Sequence, residues 1–179
     1  MIDPVIDWSL RLALSLLFAG AAWHKIFDLR RFEAAVRGYE VLPAPMVRIA
    51  SKLLPLAEAS IALGLLYGPA RPAAVGGAIS ILLLYAASIS INLARGRRDI
   101  DCGCFASSSR APLSGWLVAR NIALAAAAYA LVWPSRPRDL IWVDWLTVAT
   151  TLIALSLLWL AGQRLSETGP ALQRMGGNR

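Results

Sequence analysis

Five stretches of about 20 mostly apolar residues run through the chain, roughly 6–26, 46–67, 72–93, 113–133 and 141–161, the length an α-helix needs to cross a bilayer. Inside hydrocarbon every backbone N–H and C=O must be satisfied within the protein, so segments of this length and polarity are helices. The sequence therefore predicts an all-α, polytopic transmembrane bundle of about five spans. Composition excludes the soluble alternative. With 58% hydrophobic and 16% charged residues over 179 positions, too little polar side chain is available to cover a soluble core.

Punctuation between the stretches agrees. Pro45, Pro72 and Pro112 sit near span starts, where the missing N–H costs nothing. Gly68-Pro69 and Trp133-Pro134 mark short turns. Trp8, Trp23, Trp116, Trp133, Trp142 and Trp145 lie near span ends, as an interfacial aromatic belt requires. Arg11 is close enough to the end of the first span to snorkel. Asp3 and Asp7 stand where a signal peptide has basic residues, so the first span reads as a retained helix. Small residues (Ala73, Gly76, Gly77, Ser80, Ala87 and the run 125–128) allow close approach of helix backbones. Residues 1–162 form the expected transmembrane domain, and 163–179 a mobile polar tail.

Residues 28–42 differ from the spans. Leu29, Phe32, Val36 and Tyr39 recur at helical spacing among Arg30, Arg31, Glu33, Arg37 and Glu40. That pattern predicts an amphipathic helix lying in the interface and ended by Pro43, acting as an anchor or as a lid over a site beneath it.

Alternating spans put the 24–45 connection, the 94–112 loop and the C-terminal tail on one side. The net charge of +7 is concentrated there, which orients helices and attracts anionic lipid rather than nucleic acid. By the positive-inside rule this side is cytoplasmic.

The 94–112 loop carries the only two cysteines, Cys102 and Cys104. A disulfide needs Cα atoms about 4.4–6.8 Å apart, so closing the pair requires a sharp bend, which Gly103 permits. The small ring would be strained, and strained disulfides are oxidising and labile. The pair has the makings of a thiol–disulfide exchange site; the bland alternatives are unreactive thiols or a staple. A metal site is not expected, since His24 offers at most one further ligand. Within the spans, Lys25, Asn92, Arg120 and Asn121 are polar groups near the cysteine side, and Glu58 sits near the middle of the second span. Glu58 would pair with Lys25 or Arg120 across the bundle, or these groups would line a polar pocket for a quinone headgroup or for thiol protons.

Ala21-Ala22-Trp23-His24-Lys25-Ile26-Phe27, Tyr39-Glu40-Val41-Leu42-Pro43 and Leu54-Pro55-Leu56-Ala57-Glu58 resemble DoxX-like membrane proteins. Ile91-Asn92-Leu93-Ala94-Arg95-Gly96 followed by Asp101-Cys102-Gly103-Cys104-Phe105 resembles the MauE family specifically, over about the first four spans. Ala106 departs from the glycine that the family commonly carries. The resemblance implies a four-helix core plus one added span, in a bacterial inner membrane. It implies a role in maturing the disulfide-rich small subunit of methylamine dehydrogenase, beside a membrane-anchored thioredoxin-like protein (MauD). Cys102 and Cys104 would then be the redox pair and Lys25, Glu58 and Arg120 pocket residues, with electrons passing to a quinone. A non-catalytic membrane chaperone or docking subunit is the alternative. The implied role needs the cysteines on the periplasmic side, against the charge count.

Overall fold

In a computed structural model of the chain, residues 1–97 and 113–176 are described. These residues form six α-helices in order: α1 Pro4–Phe27, α2 Leu29–Gly38, α3 Ala44–Leu66, α4 Arg71–Ala94, α5 Gly115–Ala130 and α6 Trp142–Gly176. Asp3 starts α1 by accepting from the Val5 N–H at 2.9 Å, with Pro4 in the first turn. Asp28 caps α2 through the Arg31 N–H at 3.1 Å. Among the described residues four helices are long and apolar enough to cross a membrane by length and composition: α1, α3, α4 with its preceding 3-10 turn, and α6 to Gly162. The fourth expected span is shorter than its apolar stretch. α5 has 16 residues, a rise of about 24 Å, because Leu131–Trp133 turn away from the helix.

The surface is unlike that of a soluble protein, and the apolar core around Leu14, Phe18, Leu65 and Ala78 encloses a set of polar groups. Leu16, Leu63, Leu83, Ile153 and Leu157 are exposed, whereas Asp7, Arg11, Lys25, Glu58, Asn92 and Asn121 are buried. The chain is a multi-pass membrane protein: many of its large apolar side chains face outward, as lipid contact requires, and its buried polar ones bond to backbone carbonyls or to one another.

The core pairs α1 with α3 and α4 with α5; α3 joins the two pairs, α2 folds onto α3, and α6 rests on α1. Ser15 donates to the Ala62 carbonyl at 2.8 Å, and Arg11 to the Leu65 carbonyl at 2.7 Å, so α1 and α3 run antiparallel. One end of the bundle gathers Asp7, Arg71 and the end of α5, since Arg71 donates to Asp7 Oδ1 at 2.5 Å and to the Leu131 carbonyl at 3.0 Å. The N-terminal residues are clipped to the same end, Ile2 N–H donating to Pro134 O at 3.1 Å. α6 starts there too, with Trp145 against Trp8 at 5.7 Å between ring centroids.

Arg11 does not snorkel. It is buried at 7% exposure, and its guanidinium meets Asp7 and the last carbonyls of α3. Those carbonyls have no helical donors and carry the negative end of the helix dipole, so a cation is better placed there than in lipid headgroups.

Helix α2 also ends before Pro43. Glu40 has φ 48°, in the left-handed region that only a minority of non-glycine residues occupy. It is clamped there by Arg97, whose Nη1 lies 2.7 Å from Oε2 and whose Nη2 donates to Oε1 at 2.8 Å. Arg97 itself follows a Schellman cap on α4. Gly96 at φ 73° lets the Arg97 N–H reach the Asn92 carbonyl at 3.0 Å and its own N–H reach Leu93 O at 3.0 Å. Where the sequence predicts a polar tail from residue 163, α6 continues to Gly176.

The small residues that bring helices together are partly different from those expected. Ala73, Gly76, Ser80 and Ala87 face outward, while Ala74, Ala78, Ala125 and Ala128 are buried. Among the described glycines the most crowded is Gly64 of α3, where an added Cβ would lie 2.9 Å from the Ala74 Cβ. Neither helix can yield there without backbone movement. Gly64→Ala is expected to cost about 1–3 kcal/mol, and Gly76→Ala, in open space, nothing. Thermal unfolding of the two variants in detergent checks the contrast; equal midpoints would refute it.

Candidate functional site

The buried polar centre is built from three helices. The Ser15–Ala62 bond sets the register of α1 against α3, and by it Glu58 is level with about residue 19 of α1, so Lys25 must reach back between one and two turns. A helical side chain leans toward its own N-terminus, which makes that reach possible. Lys25 therefore points into the bundle, and its ammonium donates to Glu58 Oε1 as an ion pair. Tyr85 of α4 closes the triangle. Its hydroxyl accepts from Lys25 Nζ at 2.8 Å and donates to Glu58 Oε1 at 2.6 Å. Lys25 and Glu58 are 3% and 1% exposed, so their charges compensate each other in a space that water does not screen.

Aromatic faces complete the surroundings. Lys25 Nζ lies 5.0 Å from the Phe32 ring centroid and 4.7 Å from that of Tyr85. Both distances are in the range of cation–π attraction. Phe32 is the buried residue of α2, so the same contact that shields the ammonium pins α2 to the bundle.

Glu58 Oε2 is buried with no hydrogen-bond donor among the described residues. Such an atom is an acceptor still open, since an unsatisfied buried carboxylate oxygen costs about 1–3 kcal/mol or more. Beside this cluster lies a cavity of about 380 Å³. α2 supplies Phe32 and Tyr39 to its wall, α3 supplies Leu54 and Ala57, and α4 supplies Tyr85 and Ser88. Helix α2 thus forms one wall of a chamber as well as lying at the bundle surface. The cavity falls within the size range of small-molecule sites and is mostly apolar with a few polar groups, as those sites are.

Of the groups singled out in the sequence, Lys25 and Glu58 come together, and Glu58 takes Lys25 rather than Arg120 as its cation. His24 is exposed at the end of α1. Asn92 is fully buried one turn beyond Ser88, donating to the Ser88 carbonyl at 3.0 Å; its Oδ1 has no donor among the described residues. Asn121 donates to the Leu117 carbonyl at 2.8 Å, and Arg120 is half-buried on α5. Cys102 and Cys104 lie outside the described residues. Tyr85 was not among the sequence candidates. Its signal is the spacing Tyr85, Ser88, Asn92, which puts three polar-tipped residues on one face of an apolar helix.

The family model described as methylamine utilisation protein MauE matches residues 3–134. The chain belongs to the MauE family. The matched region takes in α1 to α5 and therefore every residue of the Lys25–Glu58–Tyr85 cluster, leaving α6 outside it. The methylamine utilization protein MauE of Paracoccus denitrificans is 44% identical over 132 residues, 73% of this chain and 70% of that protein. That of Paracoccus versutus is 37% identical over 161 residues, 88% of this chain and 84% of its own length. The MauE protein of Methylorubrum extorquens is 39% identical over 131 residues, 73% of this chain and 70% of that protein. No solved structure matches the chain.

Proposed function

We propose that this MauE-family protein is a membrane thiol–disulfide redox protein of methylamine utilisation. It supports disulfide formation in the small subunit of methylamine dehydrogenase, together with a thioredoxin-like partner anchored in the same bacterial inner membrane. The observation that carries the reading is the Cys102-Gly103-Cys104 sequence in the connection between α4 and α5. Its support is the way α4 ends: the Gly96 cap and the Arg97–Glu40 clamp tie the start of that connection to the α2–α3 link. The start of the cysteine connection and the end of α2 are thereby held at one end of the bundle.

The exchange balances as follows. A partner thiolate attacks the Cys102–Cys104 disulfide, forming a mixed disulfide and releasing one cysteine as thiolate. The second partner thiol then displaces the other cysteine, so the partner leaves oxidised and the pair is left as a dithiol. Reoxidation returns two electrons and two protons to an acceptor in the membrane, for which a lipid-soluble quinone is the proposed class.

Single Cys102→Ala and Cys104→Ala variants test the reading. One of them is expected to trap a mixed disulfide with the partner, resolved on a non-reducing gel, and both to reduce correctly oxidised small subunit to background. If neither traps a partner and the double variant still supports maturation, the protein is a docking subunit and the redox reading is wrong. The redox role also requires the pair to face the periplasm, although basic residues crowd this end. Lys25, buried in its ion pair, drops out of that charge count. A membrane-impermeant thiol reagent applied to intact cells is expected to label the reduced pair; protection until the membrane is permeabilised would place it inside and remove the proposed role.

A further inference from the structure

We propose that the chamber between α2, α3 and α4 holds an acyl chain of an anionic phospholipid whose phosphate pairs with Arg95. The inference goes beyond the redox reading and does not depend on it. The make-up of the chamber selects a hydrocarbon chain. Its lining is aliphatic apart from Phe32, Tyr39, Tyr85 and Ser88. The Tyr85 hydroxyl is already engaged, accepting from Lys25 and donating to Glu58. A polar ligand would lose its hydrogen bonds to water there for little in return, whereas an acyl chain has none to lose. The depth agrees. On α4 the lining runs from Ile81 to Ile89, roughly 8–20 Å below the helix end at Ala94. On α3 it runs from Ala50 to Ala57, about 9–20 Å from the helix start at Ala44. With a hydrocarbon core about 30 Å thick, this is the acyl-chain depth of one leaflet. The chamber also opens sideways: Val41, Leu42, Leu53 and Leu84 line it and are exposed, so a chain enters past them from the surrounding lipid without crossing water.

Charge at the near end specifies the headgroup. Arg95 lies seven residues beyond Ser88, about two turns, and so on the chamber's face of α4. It is exposed. Its Nη1 donates to the Glu40 carbonyl at 3.3 Å, and no carboxylate pairs with it among the described residues. The Glu40 carboxylate is spent on Arg97. Arg95 is therefore a cation without a counter-ion, above the face along which the acyl chain would run. A phosphate completes it, because its oxygens accept the paired N–H groups of a guanidinium. The lipid then has a structural part. Its chain packs beneath α2, while Arg95 holds both its phosphate and the α2–α3 link, so α2 and that link are fastened to α4 through the bound molecule.

The test uses the full chain, purified in detergent, stripped of lipid and then offered phosphatidylglycerol or phosphatidylcholine with identical acyl chains. Retained lipid is counted by native mass spectrometry. One phosphatidylglycerol per chain is expected, held about tenfold more tightly than phosphatidylcholine, the worth of one charge-assisted hydrogen bond. Arg95→Gln is expected to erase that preference while both lipids still bind. Lys52→Gln removes another exposed cation, one that does not line the chamber, and is expected to keep the preference. Ser88→Leu fills the chamber and is expected to abolish stoichiometric retention of both lipids. A diazirine in the acyl chain of the retained lipid is expected to label residues 32–42, 50–57 or 81–89 of the parent chain, and free glycerol phosphate not to displace it. Because the label is read in the parent, it decides the matter even where Ser88→Leu does not fold. A preference kept in Arg95→Gln, or lost equally in Lys52→Gln, would reduce the effect to a general attraction of the basic end and overturn the headgroup site. Label confined to α1, α5 or α6 overturns the chamber as the site. Cross-links from chamber residues to a second copy of the chain, with no lipid retained, would give the chamber a protein occupant and overturn the proposal equally.

Discussion

Lys25→Met is expected to destabilise the bundle by about 3 kcal/mol, because it leaves the Glu58 carboxylate buried without its cation. The methionine fits the space and keeps the contact with Phe32, so the loss reports the charge rather than a cavity. Glu58→Gln should cost less, since an amide at the same place still accepts from Lys25 and Tyr85. The informative variant is the double one. Lys25→Met with Glu58→Leu removes both charges, and a buried ion pair replaced by apolar groups of similar volume is often neutral or stabilising. Unfolding in detergent should therefore show the double variant close to the parent, so that the coupling energy between the two sites is at least the roughly 3 kcal/mol lost in Lys25→Met alone. If Lys25→Met alone is as stable as the parent, the pair does not hold the fold. If the double variant is stable and still transfers electrons to quinone, the pair does not serve the reaction.

The second large effect is expected at the opposite end. Asp7 is 2% exposed and faces two guanidinium groups, Arg71 at 2.5 Å and Arg11 at 3.5 Å. Asp7→Ala leaves two cations with no anion between them, held by the Leu65, Leu66 and Leu131 carbonyls and, for Arg11, by the Trp8 ring. A loss of about 3 kcal/mol is expected, the cost of breaking a buried charge pair. Asp3→Ala, whose partner Arg138 is at the surface 3.6 Å away, should cost under about 1 kcal/mol beyond its cap. The damage should also be local. Hydrogen exchange at residues 64–72 and 129–136 should accelerate in Asp7→Ala while residues 50–58 stay protected. Uniform acceleration along α3 would show that Asp7 holds the whole bundle rather than this end of it.

The contrast between these two clusters shows what reading the sequence can and cannot reach. Lys25 and Glu58 were legible as a pair because each is an ionisable residue in an apolar stretch, and a lone charge there is too costly to leave uncompensated. Asp7 and Arg11 carried a comparable signal in their spacing of four, yet Arg11 read as a snorkelling residue because its stretch ends nearby. What drew it inward was the end of α3, a neighbour that no local property of α1 reveals. Tyr85 was missed for the same reason. A tyrosine in a span reads as interfacial or as packing until the helix that carries it is set beside two others.

By itself the sequence determined the membrane class, the places where the chain turns, the amphipathic α2 and the family. Each is a local property: hydropathy summed over a window, a proline or glycine at a boundary, an order of short motifs. Tertiary structure alone decided which small residues touch, Ala74 and Gly64 rather than Ala73 and Gly76, and which polar groups meet. Neighbouring positions on a helix point about 100° apart, so composition sets how many small or polar residues a span has but not the phase in which they face a partner. That phase, and the register that brings Lys25 back to Glu58 and Tyr85, comes from packing one helix against another.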